Sequence, residues 1–377
     1  MDFKFTEEQE IVRRSAREFA EQTVAPRVAW MEETDETPVD VVEGMAKLGL
    51  LGVCIPQEYG GTGLGNLARM IILEEIGRAS AACAFFLQIF HLGIDPIVQA
   101  GNEEQKRKYL PGLASGERLA TVALTESSGG SDPANLQTEA RKDGDFYVLN
   151  GRKIFITNAH TANTVVIVAR TGEGSKGISA FIVEKGTEGF KEGRHEHKFG
   201  IKGCDTGELI LKDCRIPAEN LLGEEGQGLR IAFKSISDIG RTGMAGTALG
   251  VLNACHEDAA RHAKERELYG KPIAALQGIQ WLISDIWLDM QIAKRLCYWA
   301  SWLVDQGERC EAEVAAAKFF TTEAAVRSAK KAVDIYGGYG YLNEYAVQRY
   351  YRDAQCLVAS AGTSEIMRII MARKALE

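Results

Sequence analysis

Apolar side chains in the first third of the chain recur every three or four positions. Thr6 and Gln9 have the spacing of a capping box, and Ile11, Ser15 and Phe19, with Ala16 and Ala20, continue as one helical stripe. The same period predicts helices over 38–49, 67–79, 82–99 and 103–115, punctuated by IPQEYGGTGLG and Pro111-Gly112. The glycine-rich stretch follows no strand and lacks a P-loop lysine, so it reads as a connection rather than a phosphate cradle. From about residue 119 the period falls to two: RLATVALTE, TEARKDGDFYVLNGRKIFIT, NTVVIVART, ISAFIVEK and GELILKDCRIP are strand-like. Asp143-Gly144 and Asn150-Gly151 are hairpin signals within them. After LLGEEGQG the helical period returns over 229–266, 275–307, 311–338 and 361–375. The pattern predicts an α+β chain in three parts: a helical domain over 1–118, a β domain over 119–228 and a long-helix bundle over 229–377.

Composition narrows the function classes. The 377 residues are 45% hydrophobic and 25% charged, with net charge -8 and a pI near 5.5, which argues against nucleic-acid or anionic-membrane partners. Apolar runs such as LGLLGVCIP are shorter than the ~20 residues of a membrane span, and the charged opening MDFKFTEEQE has no secretory h-region. A cytoplasmic location is expected. Eight cysteines without a C-x-x-C pair suggest buried reduced thiols. His195 and His197 have the spacing of one strand face, but no third ligand is apparent, so a polar face is expected and no metal.

The chemistry lies in a series of motifs. ALTESSGGSD (123–132) joins a strand to a loop of small and hydroxyl residues, where backbone amides can meet a polar ring or a phosphate. FITN (155–158), DIGR (238–241) and RELYGKPIAALQ (266–277) follow, then DIYGGYGYLNEYAVQRYYRD (334–353), whose Gly337-Gly338 pair breaks a helix. In this order and spacing the whole chain resembles the acyl-CoA dehydrogenases, FAD enzymes that oxidise a CH–CH bond of acyl-CoA thioesters. Asn135 departs from the first signature, where a small residue is usual, and Phe155 replaces the usual tryptophan.

The resemblance implies a middle β-barrel or sandwich and a C-terminal four-helix bundle. It implies that Val122, Leu124, Thr125, Gly130, Ser131, Phe155 and Thr157 hold the flavin ring, with Thr157 donating to flavin N5. Arg266, Tyr269, Gln277, Asp334, Gly337 and Gly338 would hold the adenine and pyrophosphate half, partly from a neighbouring subunit of a homotetramer. Thr363 and Glu365 would make the last flavin contacts; Ser131, Asp238 and Arg241 would contact CoA, and Ala361 and Gly362 the substrate. The implied electron acceptor is an electron-transferring flavoprotein.

One component is missing. The family takes a proton from the α carbon with a carboxylate that immediately precedes the glycine of the motif seen here as SAGTSEIMR, where Ala361 stands. A second subgroup places that acid one residue before the arginine of D-x-x-R, where Gly240 stands. Neither residue accepts a proton. Three explanations compete: a flavoprotein that binds without catalysing, an enoyl-CoA reductase, or an enzyme whose base has moved. For the last, the helix FFLQIFHLGIDPIVQAG carries Gln88, His91 and Asp95 at i, i+3 and i+7. This helix resembles the one that lines the acyl pocket in the family. Asp95 lies between Ile94 and Pro96, where desolvation would raise its pKa and make it a base; capping or pairing at a helix end is its alternative role, and a packed core ring that of His91. This combination resembles the cyclohex-1-ene-1-carboxyl-CoA dehydrogenases of anaerobic aromatic and alicyclic acid metabolism. Cyclohexanecarboxyl-CoA or another short or branched acyl-CoA is the alternative substrate. A DNA-binding relative is disfavoured by the acidic balance.

Overall fold

A computed structural model describes residues 4–377. The capping box forms as expected: Thr6 Oγ1 accepts from the Gln9 backbone N–H, and Gln9 Oε1 accepts from Thr6 N–H, starting α1 (Glu7–Phe19). Short π and 3-10 turns lead into α2 (Val28–Thr34), then α3 (Val39–Lys47), α4 (Gly65–Ala79), α5 (Ala81–Ala100) and α6 (Glu103–Ser115). The glycine-rich stretch is indeed a connection, joining α3 to α4. Pro96 lies inside α5, so Asp95 is not at a helix end. By length and apolarity α5 alone, among the described residues, suffices to cross a membrane, which the sequence reading did not anticipate. Within the fold, however, 83% of its most apolar window is buried.

The middle of the chain forms β1 (Ala120–Ala123), β2 (Glu139–Asp143), β3 (Phe146–Thr157), β4 (Thr164–Arg170), β5 (Ile178–Glu184), β6 (Phe190–His195), β7 (Thr206–Pro217) and β8 (Leu221–Leu222). They make one eight-stranded sheet in the order β6-β7-β3-β2-β4-β5-β8, with β1 parallel to β4. Asp143-Gly144 turns β2 into β3, as expected. Asn150-Gly151 does not form a hairpin. It lies inside β3 at a register shift against β7, where Gly151 takes φ 158° and a Cβ would come 2.3 Å from Thr138 Oγ1. His197 falls beyond the end of β6, so the two histidines do not share a strand face.

The last part contains α7 (Gly228–Ser235), α8 (Thr242–Glu265), a two-stranded hairpin of β9 (Glu267–Leu268) and β10 (Lys271–Pro272), α9 (Gln277–Asp305), α10 (Glu311–Tyr336), α11 (Ala346–Ala359) and α12 (Ser364–Ala375). Two differences from the sequence pattern matter. The helix expected over 229–266 is interrupted by a π turn at Ile236–Arg241, and α11 was not anticipated as a separate helix. The main core joins both helical parts, with Leu73, Phe86 and Phe90 packed in one cluster with Leu249 and Ala325. A second core, including Ile167, Phe181 and Leu209, fills the sheet domain. Gly93 sets α5 against the sheet: a Cβ there would lie 2.6 Å from Thr121 Cα. All eight cysteines are free, six of them buried.

Candidate active site

The site is organised around the π turn. A wide turn leaves carbonyls without their normal helical partners, and buried acceptors must find others. Here three consecutive carbonyls accept from side chains of other helices. Asn66 Nδ2 donates to Asp238 O (3.1 Å), Arg69 Nη2 to Ile239 O (2.9 Å) and Gln88 Nε2 to Gly240 O (2.7 Å). Arg69 is fully buried, and its Nε donates to Asn66 Oδ1 (2.8 Å). The π turn is thus tied to α4 and α5. Asn66 and Arg69 were missed in the sequence; their signal is an Asn-x-x-Arg pair on a largely apolar helix.

The two positions that lack an acid come together across this turn. A Cβ built on Gly240 would lie 3.6 Å from Ala361 Cβ and 3.6 Å from Leu92 of α5. Ala361 has a left-handed backbone (φ 55°), in the break between α11 and α12. Lys318 of α10, buried, holds that break by donating to Val358 O (2.6 Å) and Gly362 O (2.7 Å). Burial, and then Arg241 beside it, lower its pKa to about 8. Lys318 was also missed, because a lysine in an amphipathic helix gives no sign of burial. Thr363 caps α12 by accepting from Ile366 N–H (3.4 Å). Glu365 is exposed and pairs with Arg368 (3.5 Å), so it does not replace the missing acid.

Asp95 lies one turn along α5 from Leu92 and is partly buried. Burial raises its pKa, and hydrogen bonds from Ser235 and Gln99 offset part of that rise. Gln99 Nε2 also donates to Ser235 Oγ (3.0 Å), linking α5 to α7 just before the π turn. Gln88 and Asp95 therefore both face the 235–241 segment. His91 goes elsewhere: its Nε2 meets Leu50 O (2.9 Å), and its ring sits edge-on to Phe90. Burial, then Arg69, hold its pKa down to about 3, so it is a neutral core imidazole.

Asp238 and Arg241 line a cleft of about 740 Å³ with Arg230, Lys234, Arg373 and Lys374. Glu308, Glu311, Glu313 and Glu377 line it as well, so its charge is mixed, and the buried planar cation of Arg241 is the feature that suits a phosphate. Lys234 pairs with Asp238 (2.6 Å), while the buried Arg241 Nε has no partner among the described residues.

The loop over 124–131, where the sequence resemblance places the flavin ring, is held from beneath by a buried ion pair. Lys153 Nζ donates to Glu126 Oε1 (2.6 Å) and Leu124 O (3.2 Å), while Glu126 accepts from Gln137 N–H (2.6 Å) and Thr138 N–H (3.1 Å). Thr125 O accepts from Ile154 N–H (3.0 Å). β3 has a second register shift between Lys153 and Ile156, and there Phe155 takes φ 55° and remains 60% exposed. A bulge that presents an aromatic face beside Thr157, near Val122, with open space around Gly129, fits a planar ring system. Gly130 and Ser131 are exposed in the adjoining loop.

Arg266, Tyr269, Gln277, Asp334, Gly337 and Gly338 are all exposed. Gly337 has φ 58° with nothing within 4 Å of a built Cβ, and the Arg266 guanidinium lies 5.7 Å from the Tyr339 ring centre. Asp334 pairs with Lys330 (2.6 Å). Open backbone beside a planar cation fits the nucleotide half of FAD.

Comparison with known proteins agrees with this geometry. Family models described as the N-terminal, middle and C-terminal domains of acyl-CoA dehydrogenase match residues 6–117, 121–214 and 226–376. An acyl-CoA dehydrogenase of Bacillus subtilis is 44% identical over 98% of each chain. The caffeyl-CoA reductase-Etf complex subunit CarC of Acetobacterium woodii is 38% identical, over 97% of this chain and 98% of that one. The structure of butyryl-CoA dehydrogenase from Megasphaera elsdenii superimposes with a TM-score of 0.98 at 36% identity, covering all of both chains. Together with the three-part fold, these findings show that the chain belongs to the acyl-CoA dehydrogenase family of FAD-dependent oxidoreductases acting on CoA thioesters.

Proposed function

We propose that this enzyme carries out the 1,4-dehydrogenation of cyclohex-1-ene-1-carboxyl-CoA to the conjugated cyclic diene thioester, with Asp95 as the base. The observation that carries this reading is the convergence of Gly240 and Ala361, both without an acid, one helical turn of α5 away from a carboxyl group of raised pKa. In this substrate the α carbon belongs to the ring double bond and has no hydrogen. The γ hydrogen is acidic because its loss gives a dienolate delocalised into the thioester carbonyl. Asp95 takes that proton, and the second hydrogen leaves the β′ carbon with its electron pair. FAD, when bound, supplies the acceptor for that hydride.

The chain's own residues do the remaining work. Gln88, through Gly240 O, keeps α5 in register with the π turn, so the distance from base to ring is set by packing. Lys318 fixes the backbone at 361–362 against which the thioester would lie. Arg241, at the head of the mixed-charge cleft, would hold a CoA phosphate. With no acid aimed at the α carbon, ordinary α,β chemistry on saturated thioesters is suppressed. We assign a homotetramer and an electron-transferring flavoprotein as redox partner; the Etf in the name of the Acetobacterium woodii relative supports the latter.

That relative, a reductase, also favours a second reading, in which the same site reduces an enoyl-CoA and Asp95 or water returns the proton. Incubation with a panel of cyclic and linear acyl-CoAs and a ferrocenium acceptor, followed by mass spectrometry, tests the proposal. A product two mass units lighter, formed from cyclohex-1-ene-1-carboxyl-CoA in preference to saturated thioesters, is expected. Turnover of linear saturated thioesters alone would overturn it.

A further inference from the structure

The connection between β6 and β7 meets the end of α2 in a cluster of ionisable side chains that the reaction does not use. Asp35 follows α2 in a left-handed conformation (φ 56°), and one of its carboxylate oxygens lies with a ring nitrogen each of His195 and His197 in a group whose ligand atoms are all within 4.8 Å of one another. The sequence offered no third ligand for the histidines, because Asp35 is remote in the chain and belongs to the helical part.

We infer that Asp35, His195 and His197 form a binding site for a divalent cation of borderline softness, of which Zn²⁺ is the representative. Two imidazoles and a carboxylate are a donor set that zinc accepts, with water completing the shell. Bond lengths of about 2.0–2.2 Å place neighbouring ligand atoms roughly 3–4 Å apart, so the group must close slightly. The exposed His197 has no hydrogen bond holding its ring among the described residues, only an edge contact with His195, and can make that movement. Beside the group, Asp205 Oδ1 stands 3.6 Å from His195 Nε2 and 2.7 Å from His160 Nδ1, so His195 would ligate through Nδ1. A carboxylate behind a ligating ring orients it and raises its basicity. Gly203 N–H donates to Asp35 Oδ1 (2.8 Å) and holds the carboxylate in place. One feature opposes a cation: Lys198 Nζ lies 3.4 Å from Asp35 Oδ1 and must turn away.

The same connection is tied to α11. Ile201 N–H donates to Asp353 Oδ1 (2.6 Å), and Arg352 Nη1 donates to Phe199 O (3.2 Å). A bound cation would therefore join the α2 end and the sheet domain where both meet the helix leading to Ala361, and would stabilise the folded state by mass action.

The test uses FAD-loaded enzyme without a histidine tag, treated with chelator and dialysed. Zn²⁺ is titrated by calorimetry and Co²⁺ by visible absorption. One Zn²⁺ per chain, cobalt d–d bands and a rise in Tm are expected. Affinity should fall at least about tenfold in His195→Ala and in His197→Ala, and rise in Lys198→Ala, with acyl-CoA turnover unchanged in all three. Absence of stoichiometric binding, or affinity unmoved by both histidine substitutions, would overturn the assignment.

Discussion

Ala361 already holds a side chain on a left-handed backbone, so a longer one adds rotamers rather than new backbone strain. Ala361→Glu is therefore expected to fold, bind FAD and gain or raise α,β-dehydrogenation of saturated acyl-CoAs. Steady-state assays with saturated cyclic and linear thioesters check this, and no gain in a flavin-loaded variant would contradict the placement of residue 361 at the α carbon. The proposed base, Asp95, would set the pH dependence. Its raised pKa means that the carboxylate is lost, and the rate with it, as pH falls through a value above the 3.8 of an ordinary aspartate. A kcat/KM profile should show an acid limb displaced upward accordingly, and that limb should disappear in Asp95→Asn. Asp95 could be picked out in the sequence because a carboxylate in an apolar run must have a reason to be there. Asn66 and Arg69 gave a similar signal on an apolar helix, but their role was not legible, since the carbonyls they satisfy are released only by the π turn. His91 shared the spacing of Gln88 and Asp95 but turned to Leu50, a direction that helical period alone does not fix.

Among the elements, β3 is where sequence and structure differ most instructively. Asn150-Gly151 has hairpin chemistry, yet β7 pairs along the strand on both sides of it, and the register shift there places one extra residue in β7 opposite this dipeptide. The next shift along presents Phe155. Beneath that bulge, Lys153 and Glu126 are both almost inaccessible, and burial lowers the lysine pKa to about 8. Lys153→Met leaves Glu126 as an unpaired buried charge, which costs about 3–5 kcal/mol. Urea denaturation should show that loss, and FAD content should fall because the loop carrying Thr125 and Gly130 loses its support. Stability within about 1 kcal/mol of wild type would mean that the pair does not hold the loop. The long helices were readable because their period is sustained over many residues. The π turn and α11 were not, because one added residue per turn leaves the local hydrophobic pattern nearly unchanged, and the glycine motif before α11 hides its start.

At the scale of the whole molecule, α9 leaves Trp281, Trp287, Leu288, Trp299 and Trp302 exposed along its length. An apolar stripe of this size marks an interface. The exposed Arg266, Gln277 and Gly337–Gly338 backbone lie in the same part of the chain, so assembly and cofactor retention should be coupled. Light scattering should give a yellow homotetramer with one FAD per chain. Trp281→Glu with Leu288→Glu should yield smaller species that lose FAD on dilution; an active, flavin-retaining monomer would contradict a shared site. The three-part layout followed from the change in hydrophobic period, whereas the meeting of α2 with the β6–β7 connection depends on tertiary contacts that no local pattern encodes.

The most direct measurement is rapid mixing of Asp95→Asn with cyclohex-1-ene-1-carboxyl-CoA, followed by flavin absorbance. The substitution is nearly isosteric and should leave fold, FAD content and thioester binding close to wild type. Flavin bleaching requires the γ proton to leave with the hydride, so loss of the base should slow it by roughly 10²- to 10⁴-fold. Bleaching at the wild-type rate would place the base elsewhere and remove the main support for 1,4-dehydrogenation.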